Sequence, residues 1–141
     1  MNPDVLEKCK ESIISYVGFH QFPRQSHSGK VYIGYARNLD KDGINQKEAA
    51  ELLKNDLKTL ENELKWNCNV YVELDEIRQA VLLEMAYNLG IVKLMGFRKM
   101  LAALEEKNYE KAAHEMLNSQ WADQINGRAQ VLAYRMEIAS F

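Results

Sequence analysis

Residues Tyr16–Ile44 read YVGFHQFPRQSHSGKVYIGYARNLDKDGI, and this stretch decides the fold. A helical apolar repeat runs up to Val17, with Val5, Leu6, Cys9 and Ile13 before it, and stops at Gly18, a natural helix C-cap. From Phe19 to Asp40 the period changes. Pro23, Gly29 and Gly34 break any helix, and Lys30-Val-Tyr-Ile-Gly-Tyr35 has the residue types of a strand. The spacing predicts a small antiparallel hairpin or three-stranded sheet, closed by a turn at Asp40-Lys-Asp-Gly43.

On the N-terminal side, Asn2, Pro3 and Asp4 predict the start of the first helix: an N-cap, a proline in the first turn and an acid at the positive dipole end. On the other side, Asn45 with Glu48 three residues on forms a capping box opening a long helix from about Gln46 to Lys65. Its stripe of Ala49, Leu53, Leu57, Leu60 and Leu64 faces one way and its Lys and Glu residues the other, as a solvated face. Asp75 caps a helix ending at Gly90. Ile77, Ala80, Val81, Leu82, Leu83, Met85, Ala86, Tyr87 and Leu89 leave it almost no polar face, which predicts a central buried helix. Helices over Gly96–Glu106 and Tyr109–Asn118 (cap Asn108), a turn around Trp121 and a last helix after Asn126 complete the expectation. The predicted fold class is α+β and mostly helical.

Bulk properties fit one domain over 1–141. Hydrophobic content of 47% and charged content of 27% are ordinary for a globular chain. No apolar run approaches the roughly 20 residues needed to cross a bilayer, and Asp4 and Glu7 stand where a secretory leader would have its apolar core. The expectation is synthesis in a cytoplasm, with any action outside it depending on a separate export or lysis system, and no membrane partner. The net charge of -2 argues against nucleic acid, which demands a basic patch. Cys9 and Cys68 have neither CxxC spacing nor a His cluster; they read as reduced thiols, with a long-range disulfide as the alternative, and no metal or cofactor is expected.

The Tyr16–Ile44 stretch resembles the catalytic hairpin of phage-type lysozymes, the endolysin muramidases, which are glycoside hydrolases of bacterial peptidoglycan. Two further stretches carry the resemblance from about Cys9 to Met136: INQKEAAELLKNDL (44–57) with LDEIRQAVLLEMAYNLG (74–90), and GFRKMLAALEEKNYEKAAHEMLNSQWADQINGRAQVLAYRM (96–136), where Trp121, Gln124 and Arg128-Ala129 fall in the order such proteins have them. It implies a lysozyme-like two-lobe fold: a sheet lobe at about 15–44, a connecting helix at about 46–65, a helical lobe over about 66–141 joined by the first helix, and a cleft between lobes.

In the family resembled, a glutamate before the Gly-Phe pair protonates the glycosidic oxygen, a hairpin aspartate activates water or steadies positive charge, and a threonine before Ile-Gly holds the water. This chain has Val17, Ser26 and Tyr32 at those places, and Ala36 where the family tends to have glycine. Val17 has no exchangeable proton, Ser26 supplies no charge, Tyr32 puts a ring where a small hydroxyl would sit, and Ala36 adds a methyl where backbone would approach a ligand. Singly, each is ordinary: valine packs well on an apolar stripe, serine suits a polar loop, tyrosine suits a strand.

Arg128 matches a family arginine facing the catalytic glutamate, and Glu84 stands where asparagine is more usual. The expectation is that Glu84 pairs with Arg128, the alternative being a Glu84 turned to solvent. The functional expectation is a catalytically inactive pseudoenzyme of phage, prophage or bacterial origin that binds another protein through Phe19, Phe22, Tyr32 and Tyr35. One alternative is a non-cutting glycan binder using Asn88, Trp121 and Gln124, whose other reading is a structural brace. The second is an active muramidase with Glu84 or a histidine, His20 or His27, as relocated acid or base; Asp40 and Asp42 lie beyond the strand, in the turn.

Overall fold

The computed structural model describes residues 1–125 and 127–141. It is mostly helical with one three-stranded antiparallel sheet, the α+β class expected. The chain forms two compact units, Met1–Glu51 and Leu52–Phe141, divided within the long helix, and the first helix groups with the sheet.

The first unit opens with α1 (Pro3–Val17). Asn2 caps it as predicted, its Oδ1 accepting the Asp4 N–H at 2.7 Å, and Gly18 ends it at φ 74°. The apolar stripe of α1 is not a buried one, however. None of its side chains is buried; Val5, Leu6 and Ile13 are exposed and Val17 is half-buried. Periodicity identifies an apolar face but not whether anything covers it.

The sheet follows in the order β1 (His20–Gln25), β2 (Val31–Gly34), β3 (Arg37–Asn38). Arg24 pairs with Tyr32 and Gln25 with Val31, after an irregularity between His20 and Arg24. Pro23 falls in that irregular part of β1, an edge strand, where a missing N–H is tolerated. Ser26 and Lys30 close the hairpin, the Ser26 N–H donating to the Lys30 carbonyl at 2.8 Å. Past β3, the Asp40 carboxylate accepts the Val31 N–H at 2.6 Å, so this turn acid props the strand.

The long helix α2 (Gln46–Asn67) starts on the predicted box: Asn45 Oδ1 accepts the Glu48 N–H at 2.8 Å and Glu48 Oε1 accepts the Asn45 N–H at 3.0 Å. That backbone bond holds the Glu48 carboxyl below its ordinary pKa; desolvation opposes the shift and Arg37 assists it. The α2 stripe buries progressively, from exposed Leu53 through half-buried Leu57 and Leu60 to buried Leu64.

The second unit carries the core. After a 3-10 turn (Tyr71–Glu73) come α3 (Glu76–Leu89), α4 (Ile91–Met95), α5 (Arg98–Glu105), α6 (Tyr109–Leu117), α7 (Gln120–Gln124) and α8 (Arg128–Ile138). Asp75 and Asn108 cap α3 and α6 as expected, and Ser119 caps α7. Leu64, Leu82, Met85, Leu94, Met100, Leu104, Met116 and Met136 are fully buried together; each such side chain contributes about 1.5–3 kcal/mol. α3 is less enclosed than its composition predicts. Val81, Leu82, Met85 and Ala86 are buried, whereas Tyr87 and Asn88 are exposed. Arg78 fastens this unit across its length. Its Nε and Nη2 donate to the carbonyls of Met136 and Glu137 at 2.6 and 2.7 Å, and its guanidinium lies 3.4 Å over the Tyr109 ring. Asn126, after which the last helix was predicted, lies outside the described residues.

Candidate functional site

Several of the sequence-selected residues line two pockets, one in each unit. The first, about 510 Å³, lies on the sheet and is lined by Arg24, Gln25, Ser26, His27, Tyr32 and Ala36. Strand pairing builds it: Arg24 and Tyr32 are cross-strand partners, and Ser26 and His27 follow at the end of β1. Three of the four selected hairpin positions therefore meet, Ser26, Tyr32 and Ala36. The fourth, Val17, closes α1 and does not line the pocket.

The pocket holds no carboxylate. The Ser26 and Ser28 hydroxyls share a hydrogen bond at 3.0 Å, Gln25 Nε2 donates to the Gly29 carbonyl at 3.1 Å, and Asn38 Nδ2 reaches the Tyr32 hydroxyl at 3.5 Å. Tyr32 is half-buried, not an exposed anchor, while Phe19, Phe22 and Tyr35 are exposed. The Phe19 and Tyr35 rings pair at 5.7 Å between centroids.

Ala36 lines this pocket and carries a second feature that its residue type does not announce. Its φ is 61°, in the left-handed region, where a Cβ is disfavoured. A glycine at this position relieves the backbone itself, whatever approaches from outside.

The second pocket, about 340 Å³, lies in the helical unit and is lined by Glu84, Tyr87, Asn88, Trp121, Ile125, Arg128 and Leu132. Residue 84 on α3 faces residue 128 at the start of α8. Arg128 Nε donates to Glu84 Oε2 and Nη2 to Oε1, both at 2.6 Å, a bidentate fork. This is the pairing the sequence predicted. It is not buried: the two side chains are 46% and 39% exposed. The hydrogen bonds and charge of Glu84 raise the Arg128 pKa above its ordinary value.

Beside the pair, Trp121 Nε1 donates to Asn88 Oδ1 at 2.9 Å, and the buried indole meets Phe97 edge-on at 6.1 Å. Asn88 and Trp121 thus form a hydrogen-bonded brace, whereas Gln124 is exposed and takes no part in it. His20 is half-buried at the start of β1, and His27 lines the sheet pocket. Cys9 is exposed and Cys68 buried, both as free thiols, and burial pushes the Cys68 thiol pKa up.

Arg24 is a site residue that the sequence does not single out. A single arginine in a strand carries no periodic or motif signal. The usable signal was compositional: from Ser12 to Leu39 there is no Asp or Glu, while Arg24, Lys30 and Arg37 all fall in that span. Folding brings Glu48 to Arg37 at 2.8 Å, but, among the described residues, no acid to Arg24.

Residues 15–137, which include the sheet and nearly all of the helical unit, match the family described as phage lysozyme. The chain belongs to that family. Among similar proteins, probable T4-type lysozyme 1 of Dictyostelium discoideum is 29% identical over 103 residues, 69% of this chain and 61% of the relative. Probable T4-type lysozyme 2 of the same organism is 29% identical over 89 residues, 61% of this chain and 52% of the relative. The pre-baseplate central spike protein of Enterobacteria phage T4 is 30% identical over 89 residues, again 61% of this chain but 16% of that protein. The chain thus spans between half and two-thirds of the length of the two lysozymes. Among the described residues, no helix is long and apolar enough to cross a membrane.

Proposed function

We propose that this member of the phage lysozyme family is a pseudoenzyme, a scaffold that binds a protein partner and does not cut glycan. The observation that carries this reading is the sheet pocket without a carboxylate, lined by Ser26 and Tyr32, together with valine at 17. Two-carboxylate glycosidases need one acid to protonate the leaving oxygen and a second carboxylate as base or nucleophile. Positioned acid catalysis alone is worth roughly 100- to 10,000-fold. Valine, serine and tyrosine supply neither group.

Glu84 is a poor replacement. Both of its oxygens are engaged by Arg128 and the side chain is partly solvated. The brace of Asn88 and Trp121 spends the Asn88 carbonyl and the indole N–H on each other, which leaves the glycan-binding reading less support than the protein-binding one. Exposed Phe19, Phe22 and Tyr35 are the residue type that dominates protein interfaces.

The muramidase alternative has one observation in its favour, the relatives named lysozymes. A turbidity assay on permeabilised bacteria decides between them. The unmodified protein is expected to clear nothing above a heat-killed control. Clearing that is lost in Glu84→Gln overturns the proposal in favour of a relocated acid. The triple variant Val17→Glu, Ser26→Asp, Tyr32→Thr is expected to regain measurable cleavage if the scaffold is otherwise intact.

A further inference from the structure

We propose that the sheet pocket around Arg24 is a receptor for a single carboxylate, the Asp or Glu side chain of an acidic peptide segment in a partner protein. The inference rests on the binding-protein reading above and names the chemistry of the partner.

Among the described residues, the Arg24 guanidinium makes no ion pair or hydrogen bond. Of the other arginines, Arg37 has Glu48, Arg78 has Asp75, Arg128 has Glu84 and Arg135 lies over the Phe141 ring; Arg98 alone is likewise without a side-chain partner among the described residues, and its pocket contains the carboxylate of Glu115. Arg24 stands at the wall of a 510 Å³ pocket whose other lining groups are Gln25, Ser26, His27, Tyr32 and Ala36. Ser26 and Tyr32 bring hydroxyls that can donate, and no acid among the lining residues competes for the guanidinium. The nearest acids in sequence, Glu11 and Asp40, lie outside the lining, and Asp40 already accepts the Val31 N–H.

Charge count favours a carboxylate over a phosphate. The lining has one permanent cation, Arg24, which balances one negative charge; a phosphate monoester carries about 1.5 to 2 at neutral pH. The planar guanidinium fork also matches the two oxygens of a carboxylate. A peptide is favoured over a small free acid because exposed apolar surface lies on the same strand as the arginine. Phe22, 71% exposed, lies two residues before Arg24 on β1, and would cover the apolar neighbour of an acidic side chain.

The test is a titration of the whole isotope-labelled chain, followed by backbone amide NMR shifts. The probe is a short capped peptide with one glutamate beside a leucine. The control is the same peptide with glutamine, and inorganic phosphate forms a third arm. The glutamate peptide is expected to shift Arg24, Ser26, His27 and Tyr32, to weaken as salt is raised, and to bind about tenfold less well to Arg24→Gln. Arg24 is exposed on an edge strand, so this variant is expected to keep the rest of the spectrum. Arg24→Lys, which keeps the charge but loses the fork, is expected to fall between the two.

Equal shifts from the glutamine peptide, equal binding to Arg24→Gln, or phosphate shifting the same amides as strongly would each overturn the assignment. The turbidity assay separates this failure from that of the parent reading. A chain that clears no cells and ignores the peptide loses the carboxylate receptor alone. A chain that clears cells loses the binding-protein reading.

Discussion

Each unit of this chain has a pocket walled by one arginine, and the two arginines are treated in opposite ways. Arg128, in the helical unit, is neutralised by a bidentate glutamate at 2.6 Å. Arg24, on the sheet, faces only neutral groups. The units also differ in how they are held. Every fully buried apolar side chain belongs to the helical unit, from Leu64 to Met136, and no side chain of the sheet unit is buried. The helical unit has a buried interior and a neutralised arginine in the pocket of Glu84; the sheet unit has no buried side chain and keeps an unspent cation in its pocket. In a binding protein the second kind of surface is the useful one, since unspent interactions are what a partner can complete.

The largest effects should fall on the helical side. Met85→Ala, at a fully buried position, is expected to cost about 2–5 kcal/mol in denaturant unfolding. Ile13→Ala on the exposed face of α1 should stay within about 0.5 kcal/mol. Equal costs would mean that the two units do not differ in this way. Next comes a gain: Ala36→Gly should stabilise the chain by about 0.5–1 kcal/mol by relieving the left-handed residue at φ 61°, seen as a raised unfolding midpoint. No gain would mean that the strain is already relaxed in solution.

A smaller effect concerns acid. Desolvation tends to raise the Asp75 pKa, but the Arg78 N–H and guanidinium outweigh it, so the folded value lies below 3.8. A depressed carboxyl contributes stability that is present above its unfolded pKa and lost as pH falls through the folded value. Wild type should therefore lose more stability than Asp75→Asn as pH drops below 3.8, since asparagine still caps the helix. Parallel acid curves would remove Asp75 from the account. The smallest effect is expected from Glu84→Gln, which should leave the thermal midpoint almost unmoved at low and high salt, because the pair is largely solvated. A large drop would show that the neutralised pocket is structural after all.

How much was legible in the sequence follows from the range of the forces involved. The caps at Asn2, Asn45, Asp75 and Asn108 depend on atoms within three residues, and all four formed as read. The hairpin, the long helix and the Glu84–Arg128 pair were also accessible, the last only through the resemblance, which set Arg128 opposite a missing acid and marked Glu84 as an added one. Burial was less so. The stripe of α1 looks like that of any core helix, yet none of its side chains is buried. The helix Ile91–Met95 was missed because five residues between Gly90 and Gly96 are too short to display a period. The left-handed backbone of Ala36 was not legible, since a positive φ cannot be read from residue type. Arg24 was overlooked because being unpaired is a property of its neighbours in space.

Arg78 has a consequence for biogenesis. Its partners, the carbonyls of Met136 and Glu137, stand 58 and 59 residues downstream. While a ribosome is still making α8, this guanidinium has Asp75 and the Tyr109 ring to meet, but not the two carbonyls that tie it to the last helix. The helical half can therefore collapse during translation but can latch only once residue 137 has cleared the exit tunnel.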